Sequence, residues 1–357
     1  MLKQYPSLRY ILQRGIWYIL TFVVAVTINF FLPRLGSHNP VDIIMGKFSA
    51  GLSSESARAK EEAYLKEFGL VKVSNGEIIR DKAGKPLKTS NLEQFVNYIK
   101  MCFKGDLGTS FQKYPKKVLQ VVIDAVPWTI ALQLPTILFG WITGNVLGAL
   151  AAYRRGAFDR LLFPAALFIS AIPSFVFGML LLYYFSVVQN WLPAMGGYAE
   201  ELVPSLSLKF IQSAAFHYIL PFLSIFCILA GGQAIGMRSM GIYELGTDYI
   251  KYAKWLGLKE SRIISYLFRN AMLPQLTGLA LSLGTMIGGA LITEMIFSYP
   301  GLGMAILTGI QNNDYPMIQG CTLLITVSVL LANFTVDILI GFLDPRVKAG
   351  LQIGKGN

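Results

Sequence analysis

The chain has 357 residues and a formal net charge of +11, yet only 14% of its residues are charged while 54% are hydrophobic. Soluble domains carry about 25% charged residues, so this balance excludes an ordinary soluble protein and points to repeated membrane crossing. Nor is the positive charge that of a nucleic-acid binder, because the lysines and arginines fall between long apolar runs, facing anionic lipid, or in one mixed-charge segment.

Six apolar runs, at 16–32, 128–153, 161–188, 217–237, 275–297 and 317–342, are long enough to cross a hydrocarbon core of about 30 Å as helices. Their continuity excludes a β-barrel, whose strands are short and alternating. The expected fold is an all-α membrane protein with six transmembrane helices. The first run follows Lys3, Arg9 and Arg14 as in a signal peptide, but lacks a small-x-small cleavage site. It reads as an uncleaved first helix, so 1–33 forms a short N-terminus and the first span.

Residues 34–126 are too polar for a membrane and read as a small extracytoplasmic α+β insertion. A helix is expected over 53–68, rich in strong helix formers. Asn75-Gly76 and Ala83-Gly84 mark tight turns between short strands. A second helix is expected over 92–103 with Asn91 as its N-cap. The stretch 116–125 reads as an amphipathic segment along the membrane surface, with Pro127 turning the chain into the bilayer. Such an insertion serves either as a collar at the pore mouth or as a surface that receives a delivery protein.

Residues 127–347 form the five-helix core, and 348–357 a tail. Arg154, Arg155 and Arg160 follow the second run, Arg238, Lys251, Lys254, Lys259, Arg262 and Arg269 the fourth, and Arg346, Lys348 and Lys355 the sixth. The positive-inside rule therefore puts both termini in the cytoplasm.

The cytoplasmic segment 238–274 is the most informative part of the core. Its Asp248–Pro274 stretch is helical by composition with a break around Gly257, where a positive φ costs least. Ile250, Ala253, Trp255 and Leu256 supply an apolar side, and Lys251, Lys254 and Lys259 supply charge. Pro274 is expected to start the next span. The residues alone fit a docking helix that inserts into a partner's groove and an idle interfacial helix equally well.

Other polar residues near the spans have two readings each. Glu294, at the outer end of the fifth run, either caps the backbone of the turn that follows or lines a pathway. Asn333 and Asp337, four apart, share one helix face and meet either a neighbouring helix or a substrate. Asp344 and Arg346 flank Pro345 at the inner boundary, and Gly284, Gly288 and Gly289 permit close helix packing. Cys102, Cys227 and Cys321 are scattered and the two histidines, His38 and His217, are isolated, so neither a disulfide framework nor a metal site is indicated. No phosphate-cradling GxxxxGK[ST] occurs, and no residue is assigned to catalysis.

The run Asp248-Tyr249-Ile250, Ala253-Lys254, Gly257-Leu258, followed by Arg269-Asn270-Ala271 and Leu273-Pro274, resembles the coupling motif of binding-protein-dependent ABC importer permeases. It is most similar to the first permease of the oligopeptide/dipeptide branch. Where the general motif has Glu-Ala-Ala, this chain has Lys251-Tyr252-Ala253. Further patches match in order: Arg9-Tyr10-Ile11-Leu12, Gly105-Asp106-Leu107-Gly108 with Ser110, Pro300-Gly301-Leu302-Gly303 after Glu294, Asp314-Tyr315-Pro316, and Leu343-Asp344-Pro345-Arg346-Val347. Ser37-His38-Asn39-Pro40 departs from the family's Pro-Gly-Asp-Pro, and 41–92 is longer than in short members.

The resemblance implies a type I permease fold in the cytoplasmic membrane of a prokaryote. It implies a homologous second permease, two cytoplasmic ATPase subunits that hold ATP and Mg, and an extracytoplasmic solute-binding protein. Asp248, Tyr249, Lys251, Tyr252, Ala253, Lys254, Leu256, Gly257 and Leu258 would then couple to an ATPase. Pro300, Gly301, Gly303 and Asp314 would shape the outer mouth. Oligopeptides or dipeptides are the expected cargo, with oligosaccharides or nickel complexes the alternative. An ion-coupled carrier and a non-transporting membrane scaffold are the readings from other classes.

Overall fold

Proline, glycine and capping residues decide where the apolar runs start, bend and stop. A computed structural model describes residues 6–35, 54–74, 77–81, 84–289 and 291–343. The Ser37–Pro40 and Asp344–Val347 patches, the Asn75-Gly76 turn, Ala83 and the tail lie outside the described residues. Helix α1 (Pro6–Phe31) ends in a 3-10 turn at Leu32–Leu35, and α2 (Ser54–Glu67), β1 (Val73–Ser74), β2 (Glu77–Ile78) and α3 (Asn91–Phe103) follow. Next come α4 (Val118–Arg154), α5 (Gly156–Ala171), α6 (Ser174–Leu182, continued by a π-helical turn at Tyr183–Val188) and α7 (Leu208–Leu245). The chain continues with α8 (Asp248–Trp255), α9 (Glu260–Gly289), α10 (Leu291–Ile296), α11 (Leu302–Gln311) and α12 (Tyr315–Leu343).

Among the described residues, four stretches are helical, long and apolar enough to cross a membrane: Arg14–Leu35, Val118–Arg154, Leu208–Leu245 and Tyr315–Ile338. The run expected as the third span is a pair of helices, α5 and α6, bent by 95°. Pro173 lacks an N–H, and its ring pushes Ile172 out of the helical region to φ −83°, ψ 130°. Counted as one span, the pair makes five. The run at 275–297 is divided between α9 and α10 and is not among them.

Two other prolines behave differently from expectation. Helix α4 begins at Val118 and carries Pro127 and Pro135 inside it, so Pro127 does not turn the chain. Pro274 likewise sits inside α9, which starts at Glu260. Each removes one i→i−4 bond, a loss that long helices in apolar surroundings tolerate.

The chain divides into two compact units. The first draws on Met1–Ile19, Pro127–Gly303 and Val327–Asn357. Its helices meet at glycines: a Cβ on Gly144 or Gly148 of α4 would lie 2.4 Å from the Ala230 or Ala234 carbonyl oxygen of α7. Backbone thus packs on backbone, as small residues allow between apolar helices. Gly284 of α9 makes a similar approach, its Cβ position 2.7 Å from the Ala332 Cβ of α12. Arg238 of α7 grips Asp159 of α5 through two hydrogen bonds of 2.5 and 2.6 Å and lies over the Phe163 ring.

The second unit draws on Leu20–Val126 and Met304–Thr326. Strands β1 and β2 pair antiparallel with Val73 opposite Ile78 and Ser74 opposite Glu77. Arg80 clamps the hairpin to Glu62 of α2 with two bonds of 2.7 and 2.8 Å. The N-cap of α3 is Ser90, not Asn91: its hydroxyl accepts from the Glu93 N–H while Glu93 accepts from the Ser90 N–H. This reciprocal capping box is written in the sequence as Ser-x-x-Glu. One aromatic cluster joins Phe30 and Phe31 to Phe95 and Tyr98, and a second joins Phe68, Phe111 and Tyr315.

Candidate functional site

Helix α8 is only eight residues long, too short to persist alone, so its surroundings must hold it. Ile250 and Ala253, three apart, are buried beneath it. Trp255 and Leu256, which composition placed on the same apolar side, point away and are 81% and 66% exposed. Tyr252 is exposed as well, and so are Lys251 and Lys254. Asp248 pairs with Lys251 one turn on, at 2.9 Å. The apolar residues therefore split into two sets, one that seats the helix and one that it displays.

Both ends of α8 are fixed. The Tyr249 hydroxyl donates to Glu244 at the end of α7 and accepts from the Asn270 side chain of α9 at 2.7 Å. Partial burial, with the Glu244 carboxylate beside it, holds the Tyr249 phenol above its ordinary pKa, so it remains a donor. At the far end Gly257 has φ +69°. The Leu258 N–H bonds to the Ala253 carbonyl at 3.2 Å and the Gly257 N–H to the Lys254 carbonyl at 3.0 Å. That pair of bonds is a Schellman cap, which requires the left-handed residue glycine supplies. A Cβ at Gly257 would meet nothing within 4 Å, so the position is open as well as bent.

A second constellation surrounds Glu294 on α10. Its carboxylate is buried, with Oε2 accepting the Gly303 N–H at 2.6 Å. Beside it the Thr129 hydroxyl oxygen of α4 accepts the Leu302 N–H at 3.0 Å. Gly301 and Gly303 are dictated by space: a Cβ on either would stand 2.4 Å from the Glu294 carboxyl carbon or the Leu291 carbonyl oxygen, respectively. Pro300 closes the turn against Gly197 and precedes a tight bend. Glu294 thus accepts one turn amide, that of Gly303, through Oε2, while its Oε1 is buried without a hydrogen-bond partner.

In the second unit Asp314 is fully buried. Its Oδ2 accepts from the Ser110 hydroxyl at 2.5 Å and the Gln112 N–H at 3.0 Å, and its Oδ1 caps α12 through the Met317 N–H at 3.1 Å. Two patches 204 positions apart in sequence, Gly105–Ser110 and Asp314–Pro316, are one structure. In the first unit Asp337 accepts from the Tyr18 hydroxyl at 2.9 Å and faces Arg14 at 3.5 Å, an inter-helix contact, while Asn333 is half-buried one turn away. Sequence reasoning missed Ser110 as the Asp314 partner and the Asp159–Arg238 pair; neither has a local signal, since both join distant positions.

The profile described as "binding-protein-dependent transport system inner membrane component" matches residues 144–349, which hold α7, α8 and the Pro300–Gly303 turn. The chain belongs to this family. The permease is 32% identical to the dipeptide transport system permease protein DppB of Escherichia coli K12, over 96% of its own length and 99% of the relative's. It is 31% identical to the di/tripeptide transport system permease protein DppB of Pseudomonas aeruginosa UCBPP-PA14, over 92% and 95% of the two chains. It is 28% identical to the glutathione transport system permease protein GsiC of Salmonella typhimurium LT2, over 96% and 99%. As a family member, the permease is a multi-pass membrane component of a transport system and not itself a catalyst.

Proposed function

We propose that this permease forms half of the translocation pathway of an ATP-driven importer of dipeptides or oligopeptides. A homologous second permease supplies the other half, two ATPase subunits bind from the cytoplasm with ATP and Mg, and a solute-binding protein delivers cargo outside. Six spans with both termini inside complete this reading: α9 and α10 together supply the fifth, and residues 34–126 stand outside. The peptide cargo rests on likeness to the di- and tripeptide and glutathione permeases.

One observation carries the coupling role. Helix α8 is seated by Ile250 and Ala253 and leaves Tyr252, Trp255 and Leu256 exposed, an aromatic and aliphatic set suited to a partner's groove. In this reading an ATPase grips that set, and ATP binding shifts α8 together with α7 and α9. The two ATPase states must bind α8 differently, or no work is transmitted. Trp255→Asp should leave the permease in the membrane at normal amount and lower uptake of radiolabelled dipeptide at least about tenfold, the effect of losing one buried anchor. Uptake at the wild-type rate would refute the coupling role.

A further inference from the structure

Three amide side chains meet inside the first unit, on helices that are otherwise largely apolar. Asn145 of α4 and Gln233 of α7 lie within stretches long and apolar enough to cross a membrane, and Gln275 of α9 packs against α7. Arg154, the end of α4, is about 14 Å from Asn145 along the helix axis, close to half the thickness of a hydrocarbon core. Asn145 is fully buried. Its Nδ2 donates to the Trp141 carbonyl at 2.7 Å and reaches the Gln233 Oε1 at 3.4 Å, while its Oδ1 is buried without a hydrogen-bond partner.

The two glutamines have hydrogen-bonding groups left over. The Gln275 backbone carbonyl accepts from the Trp141 Nε1 at 2.9 Å, which ties α4 to α9. Its side-chain amide rests against Gly236 of α7, where a Cβ would stand 3.4 Å from Nε2 and 3.5 Å from Oε1. Gln233, one turn before Gly236 on the same face, is half-buried, and Gly232 beside it has nothing within 4 Å of its Cβ position. Among the described residues, neither the Gln233 Nε2 nor the Gln275 side-chain amide forms a hydrogen bond. A purely structural clamp would spend these groups on one another. Facing lipid they would be costly, because hydrocarbon offers no partner. A peptide bond offers one N–H and one C=O, and a primary amide matches both whatever side chains the peptide carries. Uncharged groups also hold such a ligand weakly enough to let it move on.

We propose that Asn145, Gln233 and Gln275 form a contact point for the peptide bond of the cargo as it passes through the permease. The inference rests on the reading above that the permease imports peptides, and it names groups that touch them. The transporter, assembled with its second permease and ATPases in proteoliposomes, is given radiolabelled dipeptide on its solute-binding protein at saturation. Gln233→Leu and Gln275→Leu, which suit apolar surroundings, should each lower uptake about tenfold, the loss of about one hydrogen bond, with the permease at normal amount and thermal midpoint. With p-benzoylphenylalanine in place of Gln233, light should join the permease to the labelled dipeptide, and excess unlabelled dipeptide should suppress the adduct. Unchanged uptake in both leucine variants overturns the contact point. So does a fall in uptake matched by an equal fall in folded permease, or a photo-adduct formed only with the second permease or with lipid. Failure of the importer reading shows separately, as a wild-type transporter that takes up no delivered dipeptide, and it overturns the contact point as well.

Discussion

Gly301, Gly303 and Gly257 are glycines for different reasons, and the difference is measurable at single positions. Beside Glu294 there is no room for a methyl group, since the Cβ positions of Gly301 and Gly303 fall 2.4 Å from neighbouring atoms. Gly303→Ala should therefore cost about 1–3 kcal/mol through overpacking and lower the thermal midpoint of the detergent-purified permease. An unchanged midpoint would show that the turn relaxes freely. Gly257 has the opposite problem, a φ of +69° with open space around it. Gly257→Ala adds about 1–2 kcal/mol of backbone strain to an exposed cap and should retain most dipeptide uptake. Gly257→Asp sets a carboxylate into the surface that an ATPase would cover and should abolish uptake with the protein still in the membrane. Equal uptake by the two variants would mean that nothing packs there.

Single elements were legible in the sequence to the extent that their signals are local. The Ser-x-x-Glu box that starts α3 is such a signal, although Asn91 drew the N-cap assignment one residue too late. Hydrophobicity located the apolar runs, but it is blind to direction, so the 95° bend at Pro173 disappeared inside a continuous run. For α8 the spacing announced an apolar side without revealing that Ile250 and Ala253 face inward while Trp255 and Leu256 face out. Contacts between distant positions had no signature at all. Asp314 is the example: its carboxylate accepts from Ser110, Gln112 and Met317. Asp314→Ala strands these buried donors and should destabilise the permease by at least about 2 kcal/mol. A fall in thermal midpoint that Asp314→Asn partly reverses would fit loss of acceptors, whereas two equal falls would not.

For the molecule as a whole, the distribution of lysine and arginine gave an orientation that a labelling experiment tests directly. In a cysteine-free background, Phe103→Cys, at a site 88% exposed, should react with a membrane-impermeant maleimide added to intact cells. Trp255→Cys should react only after the cells are opened. Reaction of both from the same side would overturn the topology. In a background that restores only native Cys102, that neighbouring thiol should label more slowly than Phe103→Cys, because burial raises its pKa and lowers the thiolate fraction at neutral pH. The seating of α8 has a mechanical corollary. Ile250 and Ala253 press against what lies beneath, which resists compression, while the Tyr249 hydroxyl is tied to both Glu244 and Asn270. A peg that is only pressed into a socket can be pushed; one that is also laced to its neighbours can be pulled. A partner holding Trp255 could thus drive the permease on both strokes of a cycle, and Tyr249→Phe, which cuts the lacing and spares the seat, would weaken the return stroke alone.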